Sequence, residues 1–276
     1  MRPLLTEEQQ AGRSFGQPQF GRGDGGEGVV CVGFEPMEDE RRLGVVYCTN
    51  RRSSLWWFPL AGQRDGAQIT PESRSARSPR VLSRRDAPEV DTLVWLSNPL
   101  GGPHNSCTTL HCAPLKASHR SQTAKDVLVD VVEEPDDYPD LWHRDEEVEE
   151  RIFPGLYLNA LPAQPFLFWE GRHRLALTSV RHSHLVMYVI DLPGASEPVV
   201  PQQPVYRFNP EHSEVVLGTD GHQLVATSNS NLAASSILRV ENVGPHNDRP
   251  FWSIDTSVSE EGARSASETS FSPLVG

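Results

Sequence analysis

Arg41 to Leu60, RRLGVVYCTNRRSSLWWFPL, reads as a β-hairpin, and the rest of the chain repeats it with variations. Leu43 to Cys48 is a short apolar run rich in β-branched and aromatic residues, Thr49 to Ser53 is a polar connection, and Leu55 to Leu60 is a second apolar run. Two such runs joined by a few polar residues are most economically antiparallel neighbours.

The first run returns as Leu93 to Asn98 (LVWLSN), Leu175 to Ser179 (LALTS) and Leu224 to Asn229 (LVATSN). The second returns as Thr108 to Leu115, Ser183 to Leu192 and Ser235 to Val243. The leading leucines, Leu43, Leu93, Leu175 and Leu224, are spaced by 50, 82 and 49 residues. A four-stranded propeller blade occupies roughly 40 to 50 residues, so two intervals fit one blade each and the middle one carries an insertion. The expected fold class is all-β, a partial β-propeller of about four to five blades of four-stranded antiparallel sheet.

The connecting segments fill in this plan. Met1 to Gly28, rich in Gly and Gln, has no apolar periodicity and predicts a disordered N-terminal segment. Blades are expected over 29–254, with short strands at Val29 to Phe34, Ala67 to Thr70, Asp126 to Val132, Phe153 to Leu161, Phe166 to Trp169, Val205 to Phe208, Glu214 to Gly218 and Phe251 to Ile254. An acidic loop lies over 133–150, where ten carboxylates face a single arginine, and such a run repels itself and stays solvated. The Ser- and Glu-rich stretch 255–276 predicts a disordered tail.

Composition excludes several classes. The net charge of −12 lacks the basic footprint that nucleic-acid recognition needs. No run of about 18 apolar residues exists to span a membrane, and the N-terminus has no apolar signal region, which predicts a cytoplasmic location. Cys31, Cys48, Cys107 and Cys112 have neither CxxC spacing nor the density of a disulfide-stapled domain and read as reduced thiols.

Candidate chemistry is sparse. Gly12-Arg-Ser14-Phe-Gly16 matches G-x-S-x-G, but no apolar strand precedes it and Pro18 follows, so the strand, sharp turn and helix of a nucleophile elbow are not expected. His104, Cys107, His111 and Cys112 lie close in sequence at spacings that match no zinc motif. Arg22-Gly23-Asp24 sits in a glycine-rich stretch without supporting context. Neither a catalytic residue, a metal ligand nor a cofactor site is assigned. Arg51 and Arg52, at the tip of the opening hairpin, are candidates for contact with a carboxylate of a peptide or a neighbouring domain.

The segment RLGVVYCTNRRSSLWWFPL resembles the RLG-x-x-x-CTNRRS-x-L hairpin of acylamino-acid-releasing enzymes, the acylaminoacyl-peptidase branch of the prolyl oligopeptidase family. Ser78-Pro-Arg80, Val127 to Val132, Phe153-Pro-Gly-Leu-Tyr157 and Leu161-Pro162 extend the resemblance across about Val29 to Ile254. It implies the later blades of a seven-bladed propeller that precedes an α/β-hydrolase domain with a Ser-Asp-His triad. No residue of this chain matches that triad, so the resemblance implies that catalysis lies outside it. The implied role is to gate the access of short N-acylated peptides to the hydrolase domain, the two partners expected, with self-association as a further expectation. A free-standing interaction module, or a truncated product without independent function, is the alternative.

Overall fold

The computed structural model describes residues 13–35, 52–61, 66–71, 73–100, 107–116, 125–132, 153–169, 171–181, 183–207, 212–230, 236–246 and 249–255. Every helical or strand element among them is a β-strand, so no described helix is long and apolar enough to cross a membrane. The chain divides into two compact units, one of Met1–Leu161 with Leu192–Pro204 and one of Pro162–Asp191 with Val205–Gly276.

The first unit contains two four-stranded antiparallel sheets whose spatial order is the chain order. One is β1 (Ser14–Gly23), β2 (Gly26–Phe34), β3 (Ser53–Pro59) and β4 (Ala67–Gln68); the other is β5 (Arg74–Leu82), β6 (Thr92–Pro99), β7 (Thr109–Pro114) and β8 (Val127–Val129). Alternation along each strand decides what it buries. Val30, Val32, Leu55 and Trp57 of the first sheet meet Ala76, Leu93, Trp95 and Ala113 of the second. Trp56 and Phe58 take the other face of β3, where Phe15 lies edge-on to both rings at 6.0 and 5.5 Å. A strand covered on both faces reads as an unbroken apolar run, which is why SSLWWFP shows no polar alternation.

The second unit repeats the plan. Its sheets are β9 (Phe166–Trp169), β10 (Arg172–Arg181), β11 (His184–Asp191) and β12 (Val205–Arg207), then β13 (Ser213–Thr219), β14 (Leu224–Asn229), β15 (Ser236–His246) and β16 (Arg249–Asp255), again in chain order. Leu167, Ala176, Met187 and Val189 of the first pack on Val216, Leu224 and Ala226 of the second.

Three of the four expected hairpins are present, as β6–β7, β10–β11 and β14–β15. The opening one is different. β3 pairs along its whole length with β2, so its hairpin partner is Gly28 to Phe34 rather than Leu43 to Cys48, a run that lies outside the described residues. The repeat therefore begins with β2.

The N-terminal expectation is corrected as well. Residues within 1–28 form β1 and the start of β2, because Asp24-Gly25 is a two-residue hairpin turn closed by Gly23 opposite Gly26. Glycine content that reads as disorder is here turn chemistry. Ser14 consequently begins an extended strand opposite Phe34, and no elbow forms around it. Phe153 to Leu161 is not a strand, Val205 to Arg207 is the outer strand β12 of the third sheet, and β5 is an additional strand. Residues 133–150 and 256–276 lie outside the described residues.

Candidate functional site

Arg52 stands directly before β3, and Arg51 lies outside the described residues. Its position is fixed by the backbone: Glu35 N donates to Arg52 O at 3.0 Å. Just beyond it, Ser53 Oγ donates to Ala76 O and Leu55 N to Thr70 Oγ1, both at 2.8 Å. The Arg52 side chain is 54% exposed, and its Nη1 lies 3.5 Å from Glu35 Oε2. An ion pair so open to water contributes about 0–1 kcal/mol, so a better-placed carboxylate can displace Glu35. The guanidinium is thus an exposed donor on a rigid base.

Nearby, β5 carries the most densely bonded polar cluster described. A bulge interrupts the β5–β6 ladder between Arg77 and Arg80, because Pro79 has no N–H to give and Ser78 takes a φ of 52°. Ser78 N is received by Gln17 Oε1 at 2.8 Å, and Gln17, with a φ of 53°, lies in the β1 bulge before Pro18. The bulge aims three side chains at the strand-free segment 153–161. Arg77 Nη2 donates to Leu158 O at 3.1 Å and Nε to Asn159 O at 3.0 Å, while Nη1 donates to Asn98 Oδ1. Arg80 Nη2 donates to Leu161 O at 2.5 Å, and Ser78 Oγ accepts from Leu161 N at 2.8 Å. Thr108 N adds a bond to Leu156 O at 2.7 Å.

These donors form a clamp on a strap. Carbonyls outside a ladder need partners, and guanidinium groups with several N–H donors supply them. Burial lowers the Arg77 pKa to about 10, which leaves it a cation at neutral pH. Gly155, with a φ of +97°, completes the fit, since a Cβ there would run into the Cys107 sulfur.

Ser97 and His111 form a pair that sequence proximity did not suggest. Ser97 Oγ lies 2.7 Å from His111 Nε2, within hydrogen-bond distance, and accepts from Arg74 Nε at 2.8 Å. The ring stacks on Trp95, with centroids 4.9 Å apart. Burial, reinforced by Arg74, pushes the His111 pKa down to about 3. The pair is buried, and Nδ1 meets no hydrogen-bond partner among the described residues, so no carboxylate orients the ring as a triad requires. The other members of that sequence cluster are dispersed: His104 lies outside the described residues, Cys107 packs on Gly155, and Cys112 is a buried thiol whose pKa burial raises to about 12.

The family model "Acylamino-acid-releasing enzyme, N-terminal domain" matches residues 10–265. The chain belongs to that family. The acylamino-acid-releasing enzyme of Mus musculus is 36% identical over 108 residues, which cover 38% of this chain and 13% of the mouse protein. Acylamino-acid-releasing enzyme 2 of Oryza sativa subsp. japonica is 26% identical over 208 residues, 69% of this chain and 24% of the rice protein. The chain thus spans a quarter or less of the length of these relatives. A family 117 glycoside hydrolase of Zobellia galactanivorans shows a looser likeness, 12% identical with a TM-score of 0.40 over 88% of this chain and 70% of that one; at that score nothing about this chain follows.

In this acylamino-acid-releasing enzyme N-terminal domain, the stretches that carry the sequence resemblance acquire structural meaning. Ser78-Pro-Arg80 is the bulge, and Phe153 to Tyr157 with Leu161 is the strap that it holds. The last residues of CTNRRS, Arg52 and Ser53, fix the entry to β3.

Proposed function

We propose that this chain is a propeller portion of an acylaminoacyl-peptidase-like serine peptidase and gates the access of short N-acylated peptides to an α/β-hydrolase domain. The family match across residues 10–265 carries this reading. Four meandering four-stranded sheets, stacked in pairs by apolar cores, are what successive blades require. Arg51 and Arg52 are then contacts for a carboxylate on the hydrolase domain or the peptide, and the cytoplasm is the setting.

A further sheet, or a second copy of the chain, is the other partner of this reading. Leu217, Val225 and Ile237 of the fourth sheet are 52%, 37% and 47% exposed, whereas Val216, Leu224 and Ala226 are buried against the third sheet. An array of blades covers such side chains with its next member.

The test combines the chain with the part of the mouse relative that follows its N-terminal domain. Release of acetyl-alanine is measured from an N-acetylated tripeptide and from an N-acetylated peptide of about 30 residues. The reading expects the chain to bind and to suppress cleavage of the long peptide selectively. Absence of binding, or equal effects on both substrates, would overturn it.

A further inference from the structure

At the strand ends opposite Arg52, the first unit carries a cleft of about 440 Å³, lined in part by Phe20, Arg22, Leu60, Arg84 and Asp91. Its walls are tied together. Arg22 N donates to Asp91 Oδ2 at 2.7 Å, Asp91 N returns a bond to Arg22 O at 2.8 Å, and Leu115 N donates to Asp91 O at 2.8 Å. Gly21 lets β1 lie this close, since a Cβ there would stand 2.8 Å from Val81 and 3.0 Å from Leu115.

The two cations of the cleft have protein partners. Arg84 lays Nε and Nη2 on the Asp86 carboxylate at 3.0 Å each and gives Nη1 to Pro193 O at 2.6 Å. Arg22 gives Nη1 to Pro88 O at 2.9 Å and stands 3.6 Å from Glu27. Asp91 is different. It is 5% exposed, its Oδ2 receives one backbone N–H, and its Oδ1 meets no donor among the described residues. With one carboxylate oxygen held by an amide and Asp91 lining the cleft, the group left to a ligand there is an acceptor with a negative charge. At the rim stand Phe20, 75% exposed, and Leu60, 57% exposed, which offer an aromatic face and an aliphatic one.

We propose that this cleft binds a cationic group on an aliphatic stem, the ammonium or guanidinium of a peptide, with Asp91 as its counter-charge and Phe20 and Leu60 as its apolar seat. An ammonium in the cleft supplies the donor that Oδ1 lacks, and an aromatic face adds attraction for a cation. The chain's net charge of −12 concentrates such ligands around it. A basic side chain and a peptide N-terminus share this chemistry. The inference does not depend on the gating role proposed above.

Titration of the full chain by calorimetry or by amide chemical shifts tests it with four probes. Acetyl-lysine amide presents a basic side chain alone and leucine amide an α-ammonium alone; acetyl-leucine amide is neutral and acetyl-leucine anionic. One of the first two should bind with a Kd of about 1 mM or tighter and identifies the source, while the last two bind at least about tenfold more weakly. Asp91→Asn keeps an acceptor for Arg22 N but removes the charge, and should weaken the cation by about tenfold. Phe20→Ala alters a side chain that lies mostly in water, so it should weaken binding severalfold with an unchanged melting temperature. Equal affinity for the neutral or anionic probe, no saturable binding of either cation up to about 20 mM, or full affinity in both variants would each overturn the proposal.

Discussion

The core between the first two sheets is built around two indoles, Trp57 and Trp95, whereas that between the third and fourth is aliphatic, drawn from Leu167, Ala176, Met187, Val189, Val216, Leu224 and Ala226. The arginine ties differ in reach as well. In the first unit, arginines extend to carbonyls far along the chain: Arg77 to Leu158 and Asn159, Arg80 to Leu161, Arg84 to Pro193. In the second, Arg174 holds Asp191, its own partner across the β10–β11 ladder, at 2.6 Å, and Asp220 caps its own turn by accepting from His222 N and Gln223 N. The difference follows from where the chain leaves its ladders. β9–β10 and β10–β11 close almost at once, so the ladder fixes them, while 153–161 and 192–204 run beside the first unit's sheets and need donors from side chains.

This contrast predicts a ranking. Arg77→Ala removes bonds to Leu158 O, Asn159 O and two side chains at a half-buried site and should cost about 3 kcal/mol. Arg174→Ala, whose partner Asp191 is one-third exposed and can rehydrate, should cost about 1–2 kcal/mol. Urea unfolding followed by tryptophan fluorescence measures both, and equal losses would remove the distinction between strap and ladder.

Glycines sharpen it. Gly155→Ala meets both a positive φ and the Cys107 sulfur and should cost about 2 kcal/mol or more. Gly171→Ala, at a φ of +76° with nothing within 4 Å, meets backbone strain alone and should cost about 1 kcal/mol. If the two substitutions melt alike, the strap is not seated on Cys107.

His111 gives the first unit an acid sensitivity. Its folded pKa is lowered to about 3 from the ordinary 6.5, so between these values the unfolded chain binds the proton that the folded chain refuses. Stability from this group is complete above about pH 6.5 and falls as the pH drops toward 3, by up to about 1.4 kcal/mol per unit. His111→Gln should flatten that part of the stability profile, and an unchanged slope between pH 6 and about 4 would contradict the buried neutral imidazole.

What the sequence disclosed and what it hid follow the same division. Leu93 to Ser97 with Thr109 to Ala113, and Leu175 to Ser179 with Val186 to Ile190, are adjacent in the chain and paired in the ladder, so local apolar runs were enough to find them. The opening hairpin misled because Leu43 to Cys48 is a good strand sequence beside a strand whose real partner, β2, lies farther back in the chain. β1 was hidden because its Gly and Pro residues serve a turn and a bulge, features whose composition is also that of a disordered segment. The clamp was beyond local reading. Arg77 and Asn159 are 82 positions apart, and nothing in either stretch names the other. The resemblance to a family did single out both halves, Ser78-Pro-Arg80 and Phe153 to Tyr157 with Leu161, without showing that they touch.

The smallest expected change in stability belongs to the pair that carries the proposed docking contact. Arg52 and Glu35 are 54% and 29% exposed and 3.5 Å apart, whereas Arg174, at the same kind of cross-strand position, is 3% exposed. Water screens the first pair, so Arg52→Ala should move stability by no more than about 0.5 kcal/mol. If Arg52 receives a carboxylate from a hydrolase domain, the same substitution should weaken docking by about tenfold. Glu35→Gln, which frees the guanidinium from its internal competitor, should leave docking intact or strengthen it. Arg52→Ala therefore weakens binding and Glu35→Gln does not, while the melting temperature stays still in both. A stability loss above about 1 kcal/mol for Arg52→Ala would make the residue a structural tie like Arg174, and unaltered docking would move the contact elsewhere on the chain.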